Sequence, residues 1–419
     1  MSGIEEEALT GGQGNHGPLA GLRILDLSRV LAGPVCTQLL GDLGAEIIKV
    51  EQPGKGDDTR FWGPPFVLDA KGGNSTESAY YLAANRNKHS LTIDLSAAKG
   101  QSLLRRLALH SDVLIENFKV GTMKKYHLDY NSLQTNHKKL VYCSISGFGQ
   151  DGPYAKRPGY DFLVQAMGGL MSLGGPVDGE PSKTGVAIAD IMCGMYATVA
   201  IQAAIRHRDL TGEGQYIDLA LLDTQLAWLA NVGSSYLISG QQPQRFGNGH
   251  PSIVPYDTFP VADGHIALAV GNDRQFAHCC QFIGATELAQ DRRFASNVQR
   301  VKNRQELRKL MTEYLVKMPS RYWIEGFNEL GVPCGPVNTV DQAFADPQVQ
   351  HRKMVVSLPH PDAADGQIKM VANPIKFSAT PVSYRHSPPK LGQHTDSVLR
   401  SLLGLDAVEI EELRKEGVI

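Results

Sequence analysis

One carboxylate stands in the least charged stretch of the chain. From Lys183 to Arg206 the sequence reads KTGVAIADIMCGMYATVAIQAAIR, and between those two ends only Asp190 is charged. The residues Ile191–Ile205 that follow it are uncharged. In water a carboxylate is a poor nucleophile. In a largely apolar pocket it loses hydration and becomes able to attack an acyl carbon. The commoner role for such an Asp is structural. As an N-cap its carboxylate accepts the first free N–H groups of a helix and faces the positive end of the helix dipole. What raises Asp190 above a cap is the set of residues the rest of the chain brings to it.

Those residues must be carried by a sheet. Leu22–Leu27 (LRILDL) predicts a first strand. Ser28–Pro34 turns into a helix that ends near Gly41 or Gly44, with Pro34 tolerated in its first turn. Ala45–Glu51 (AEIIKVE) predicts a second strand, completing a β-turn-α-β unit. Further strands are expected at Leu91–Leu95, Val113–Glu116, Leu140–Ser146 and Gln215–Leu222, with Ser96 capping a helix from Ala97 to about His110. Strands alternating with helices argue for an α/β fold with an open, mostly parallel Rossmann-like sheet. Ligands of such sheets gather at the carboxyl ends of the strands, which here are Ser28–Ala32, Asn117–Phe118 and Gly147–Gly149.

Four segments are expected: a disordered 1–17, a large domain over 18–222, a smaller α+β domain over 223–330, and a return to the large domain over 331–419. Pro53–Glu77 reads as a long surface loop. Asp223–Ser239 reads as one helix, and Gly331–Val337 as a rigid extended connection. Ile191–Ile205 is too short to span a bilayer and reads as a core helix, apolar nearly all round, with Gly212 and Gly214 as breakers.

Composition excludes several function classes. The net charge is −2 with 20% charged residues, which gives no field for nucleic acid. The six cysteines show no metal-type spacing and read as buried thiols of a reducing compartment, so no metal site is expected. A G-x-G-x-x-G occurs at Gly12, Gly14 and Gly17. It precedes the first strand, so it is not a dinucleotide fingerprint. The acidic, Gly-rich N-terminus has neither a presequence pattern nor a signal-peptide core.

Several separated motifs then resemble one family. They are LRILDLSRVLAGP, GDLGAEIIKVEQPGKGDDTR, NRNKHSLTIDL, DVLIENFKVG, ISGFGQDGP, GYDFLVQAMGGLM, GVAIADIMCG, GVPCGPV and LGQHTD. Over about residues 18–419 the chain resembles the class III CoA-transferases, the family of the formyl-CoA and carnitine CoA-transferases. SRVLAGP, GHPSIVPY and GNDRQF are similar to its succinyl-CoA:glutarate branch. The resemblance implies that Asp190 is the nucleophile. It implies aspartyl anhydride and aspartyl-CoA thioester intermediates and an interlocked homodimer. CoA thioester and dicarboxylate are its small-molecule partners; no tightly bound cofactor, nucleic acid or membrane is implied. The animal relatives point to the mitochondrial matrix; without a presequence the cytoplasm is the alternative.

By the same resemblance the CoA-binding positions are Leu31, Ala32, Gln52, Ile93, Asp94, Leu95, Ser96, Asn117, Phe118, Lys125, Arg157 and Tyr160. Leu31 stands where the formyl-CoA enzymes carry Gln, so formyl transfer to oxalate is disfavoured; Gln52 stands where they carry Arg, which weakens the adenine- or phosphate-side contact expected there. Gly247, Gly249 and His250 match the family's glycine-rich lid, which would keep water from the anhydride. Arg29 is a candidate reader of a second carboxylate, with an ion pair to a nearby acid as its alternative. Two rival functions remain. An α-methylacyl-CoA racemase needs a His where this chain has Tyr160, and a phenol is a poor base near neutral pH. A non-catalytic CoA-binding protein would keep the fold and dispense with Asp190.

Overall fold

The computed structural model describes residues 17–69 and 71–419, so the expectation for 1–17 falls almost wholly outside the described residues. The chain divides into two units. One holds the described residues through Leu170, with Lys183–Gly240 and His351–Ile419; the other holds Met171–Ser182 and Gln241–Gln350. Residues 223–240 thus group with the first unit and 331–350 with the second.

The first unit is built on strands β1 (Arg23–Asp26), β2 (Glu46–Glu51), β5 (Lys88–Thr92), β6 (Val113–Glu116), β7 (Val141–Ser146) and β8 (Tyr216–Ala220), with a hairpin of β3 (Phe66–Leu68) and β4 (Asn74–Ser78) between β2 and β5. The six strands form one parallel sheet in the order β5-β2-β1-β6-β7-β8. Both faces are covered, so successive residues of a strand enter different cores. Leu25, Ile48 and Leu114 pack with the Ala98–Leu109 and Thr395–Leu403 helices. Ile24, Ile47 and Ile115 pack with α1 (Ala32–Asp42) and the long helix Ile188–Thr211. The chain's C-terminal part therefore closes one face of the first sheet.

Five local expectations change. The strand expected at Leu91–Leu95 runs over Lys88–Thr92, leaving Ile93–Ser96 as the turn at its end. Ser96 does not cap the next helix, because its hydroxyl is held by Asp94 and the cap is Ala97. Pro53–Glu77 is largely exposed, as expected, but it is not all loop: it contains a short 3₁₀ turn and the β3–β4 hairpin, and it buries Asp57, Thr59, Arg60 and Glu77. These four belong to a buried polar network with Lys49 and Glu51. Asp223–Ser239 is two helices, Leu221–Ala227 and Ala230–Ser239, broken where Ala230 takes a φ of 43°. The long helix has 24 residues, which with its composition is enough to cross a bilayer. Half of its apolar window is buried, with Cys193, Ala197 and Ile201 in the core, and Gly212 ends it with a φ of 81°. Met195, Tyr196 and Val199 on its other side are exposed, so it is not buried all round.

The second unit has an antiparallel sheet of β9 (Tyr256–Val261), β10 (Gly264–Ala269) and β11 (Cys334–Pro336) with its own core around Phe259, Phe276 and Phe327. The connection at 331–337 thus carries a strand. Strands β12 (Val355–Pro359) and β13 (Gln367–Val371) form a ribbon of the first unit.

Candidate active site

Asp190 lies in the first turn of the long helix, not at its cap, which is Ala187. The helix's free N–H groups are taken by another residue. Asp161, first residue of the Asp161–Met167 helix, accepts from Ala189 N at 2.8 Å and from Asp190 N at 3.3 Å. The Asp190 side chain is 9% exposed and accepts no hydrogen bond among the described residues. Burial, with the nearby Asp161 charge second, pushes its carboxyl up to about 7. As an N-cap Asp190 would have accepted the helix's free N–H groups itself; Asp161 accepts two of them instead.

Gly194, one turn below Asp190, explains how the residue reaches the strand ends. A Cβ there would lie 2.6 Å from the Ala32 carbonyl oxygen, so only glycine lets the long helix come this close to the start of α1. A cavity of about 120 Å³ opens where they meet. Asp190 lines it with Arg29, Leu31, Ala32, Asn117, Phe118, Arg157 and Tyr160, seven of the positions singled out by the motifs. The N-cap of α1 is Leu31, which offers no side-chain cap. The N–H groups of Leu31 and Ala32 have no acceptor among the described residues, so both can donate to developing negative charge.

A second cavity of about 350 Å³ in the same unit is lined by Gln52, Ile93, Asp94, Leu95 and Ser96, and it shares Arg29 and Phe118 with the first. Lys125 lines neither; its ammonium sits 5.3 Å from the centre of the Tyr126 ring, which faces the second cavity. Asn117 clamps Arg29 from both sides, accepting from its N–H at 2.9 Å and donating to its carbonyl at 2.7 Å. The Arg29 guanidinium pairs with Asp58 at 2.8 Å at a solvated site. Tyr160 is exposed and precedes the Asp161 helix. Gly247, Gly249 and His250 line a cavity of about 860 Å³ within the second unit. Among the described residues no cluster of three or more His, Cys, Asp or Glu is placed to hold a metal.

Sequence reasoning missed Val30, Asp57 and Asp161. Asp161 stood in the GYDF motif beside the Tyr160 that drew attention. Nothing in a Val marks it for a left-handed backbone, yet Val30 has a φ of 68°.

Comparison with known proteins agrees with this geometry. The model of CoA-transferase family III matches residues 19–395. The chain belongs to CoA-transferase family III.

Among family members, a succinate–glutarate CoA-transferase from Agrobacterium fabrum is 50% identical over 92% of this chain and 96% of its own length. The human succinyl-CoA:glutarate CoA-transferase is 42% identical over 97% of this chain and 90% of its own. A crystal structure of a CAIB/BAIF family protein from Brucella suis, 46% identical, superposes with a TM-score of 0.82 over 92% of this chain and 99% of that one. As a family III CoA-transferase, the chain is an enzyme whose substrates are CoA thioesters.

Proposed function

We propose that this enzyme moves CoA from succinyl-CoA to glutarate or a related C4–C6 dicarboxylate, with Asp190 as covalent carrier. The observation that carries the reading is Asp190 itself: a buried carboxylate with no donor among the described residues, in a cavity also lined by Leu31 and Ala32, whose backbone N–H groups have no acceptor among those residues. Asp190 attacks the thioester carbonyl, the C–S bond breaks, and CoA leaves as thiolate with a succinyl-aspartyl anhydride behind it. The thiolate attacks the Asp190 carboxyl carbon, freeing succinate and leaving an aspartyl-CoA thioester. Glutarate attacks the same carbon and expels the thiolate again. Attack of that thiolate on the glutaryl carbonyl gives glutaryl-CoA and returns Asp190 as a carboxylate. Each step exchanges one acyl bond for another and no net proton moves. The N–H groups of Leu31 and Ala32 stabilise the oxyanion of each tetrahedral stage.

In this reading the second cavity takes part of the CoA moiety, with Gln52 and Ile93–Ser96 as its contacts. Arg29 leaves Asp58 to bind the distal carboxylate of the acid. The names of the Agrobacterium and human relatives support the choice of acids. A homodimer would cover the apolar groups left exposed at Met195, Val199, Leu237 and Ile238.

The test is isotope exchange. With succinyl-CoA and labelled succinate as the only acid, label should enter the thioester, and Asp190→Asn should abolish entry by at least about 10⁴-fold. Label entry that survives Asp190→Asn would refute the covalent carrier. Failure of the wild type to exchange while it still binds CoA would refute succinyl-CoA as donor. No proton-transfer reading is favoured, since Tyr160 occupies the position where a racemase needs its His.

A further inference from the structure

Val30 sits between the buried floor of the site and the two free N–H groups. A β-branched residue at a φ of 68° is costly, and the surrounding structure must enforce it. Four side chains do so. Asp26 accepts from Ser28 N at 2.9 Å, and Asn117 brackets Arg29. Lys49, fully buried on β2, donates to the Ser28 carbonyl at 3.0 Å and to Asp57 at 2.9 Å. Asp57 accepts the Val30 N–H, at 3.2 Å from each of its oxygens.

Asp57 is held rigidly in turn. It accepts from the N–H and hydroxyl of Thr59, and its own N–H donates to Glu51, whose carboxylate is gripped by Arg60. The surrounding charges keep both partners ionised: Lys49 holds the Asp57 carboxyl below the usual range, and Asp57, Asp26 and Glu51 hold the Lys49 ammonium above its own.

We infer that the buried Lys49–Asp57 pair is a positioning device for the transfer reaction, forcing Val30 into its left-handed turn so that the Leu31 and Ala32 N–H groups face Asp190. The ionised form matters. Asp57 meets donors from Val30, Thr59 and Lys49, and an Asn there would turn its own N–H₂ toward at least one of them. The inference rests on Asp190 acting as the carrier, and it concerns the rate of acyl transfer, not the binding of CoA.

The experiment follows CoA release from succinyl-CoA in the full-length protein. Asp57→Asn should lower kcat by about 10–100-fold, less than the outright loss of one oriented donor, which costs about 100–1,000-fold, with KM changed less than about threefold. Val30→Gly placed in the Asp57→Asn protein should recover at least about fivefold, because glycine takes a positive φ without enforcement. A purely structural role predicts no such recovery. Full kcat in Asp57→Asn, or a loss that Val30→Gly leaves untouched, would overturn the inference. Should Asp57→Asn fail to fold, Val30→Pro keeps Lys49 and Asp57 but forbids the turn and removes the N–H that Asp57 accepts. In protein shown to be folded by circular dichroism its kcat should fall by at least about 100-fold, and wild-type kcat in that variant would overturn the inference. An Asp190→Asn protein that still exchanges label would instead refute the carrier reading.

Discussion

Two buried carboxylates in the same unit have opposite surroundings. Asp57, 3% exposed, accepts hydrogen bonds from Lys49, Val30 and Thr59, and its pKa falls although burial alone would raise it. Asp190, 9% exposed, accepts none from the described residues, lies near the Asp161 charge, and is pushed up to about 7. Burial is common to both; what differs is whether donors were supplied. A fully paired carboxylate is inert scaffold. One left without donors in a dry pocket keeps its lone pairs for chemistry. The site thus joins a floor of compensated charge (Asp26–Lys88, Lys49–Asp57 and Glu51–Arg60) to one deliberately uncompensated group.

The comparison breaks most visibly if a paired charge is orphaned. Lys88 is fully buried and holds Asp26 at 3.2 Å, the Pro34 carbonyl at 3.0 Å and Asn85 at 2.9 Å. Lys88→Met leaves Asp26 with less compensation beneath α1 and should cost about 3–5 kcal/mol in urea unfolding. A cost under about 1 kcal/mol would mean that the floor is not held by its charges.

Asp190 should show the reverse sign. Its folded pKa lies near 7 against an ordinary value of 3.8, so the folded chain holds a proton that the unfolded chain has already lost between those values. Stability present below about pH 4 is therefore lost as pH rises through 7. Asp190→Asn cannot ionise. It should match the wild type at pH 4 and exceed it at pH 8 by on the order of a few kcal/mol, read from melting curves at the two pH values. For the same reason, donor cleavage by the wild type should rise with pH and level off above about 7. A flat profile between pH 5 and 8 would show that Asp190 is already ionised in the empty site.

Gly194→Ala tests how closely the two parts of the site meet. The added methyl collides with the Ala32 carbonyl, and overpacking of this kind costs about 1–3 kcal/mol. Label exchange should fall with it, as the long helix carries Asp190 away from α1. Unchanged exchange would show that the two can part without loss.

The smallest effect on stability should come from Arg29, whose pair with Asp58 is solvated. Arg29→Gln should cost under about 1 kcal/mol in the same unfolding assay. In competition assays it should lower the preference for glutarate over a monocarboxylate by about tenfold, the worth of one charge-assisted contact. An unchanged preference would leave Arg29 as a surface ion pair only.

The sequence by itself determined most of the sheet and singled out the carboxylate proposed as the reactive group. Strands such as VLIE and VYCSIS are short, rich in β-branched and aromatic residues and bounded by polar turns, so their composition and length suffice to place them. Asp190 stands out because a lone charge in an apolar run has few uses. The family motifs named most of the residues that line its cavity. Only the tertiary structure decided what surrounds that carboxylate. Asp161 lies 29 positions earlier and removes the helix donors from it, and Gly194 lets α1 come within contact. Asp57, in a segment whose composition reads as exposed loop, is buried beneath Val30 by partners on β2. Local pattern reports which residues are apolar and which turns are possible. Whether a buried charge finds a donor depends on residues distant in sequence, and that difference separates the scaffold carboxylate Asp57 from Asp190, the one proposed to react.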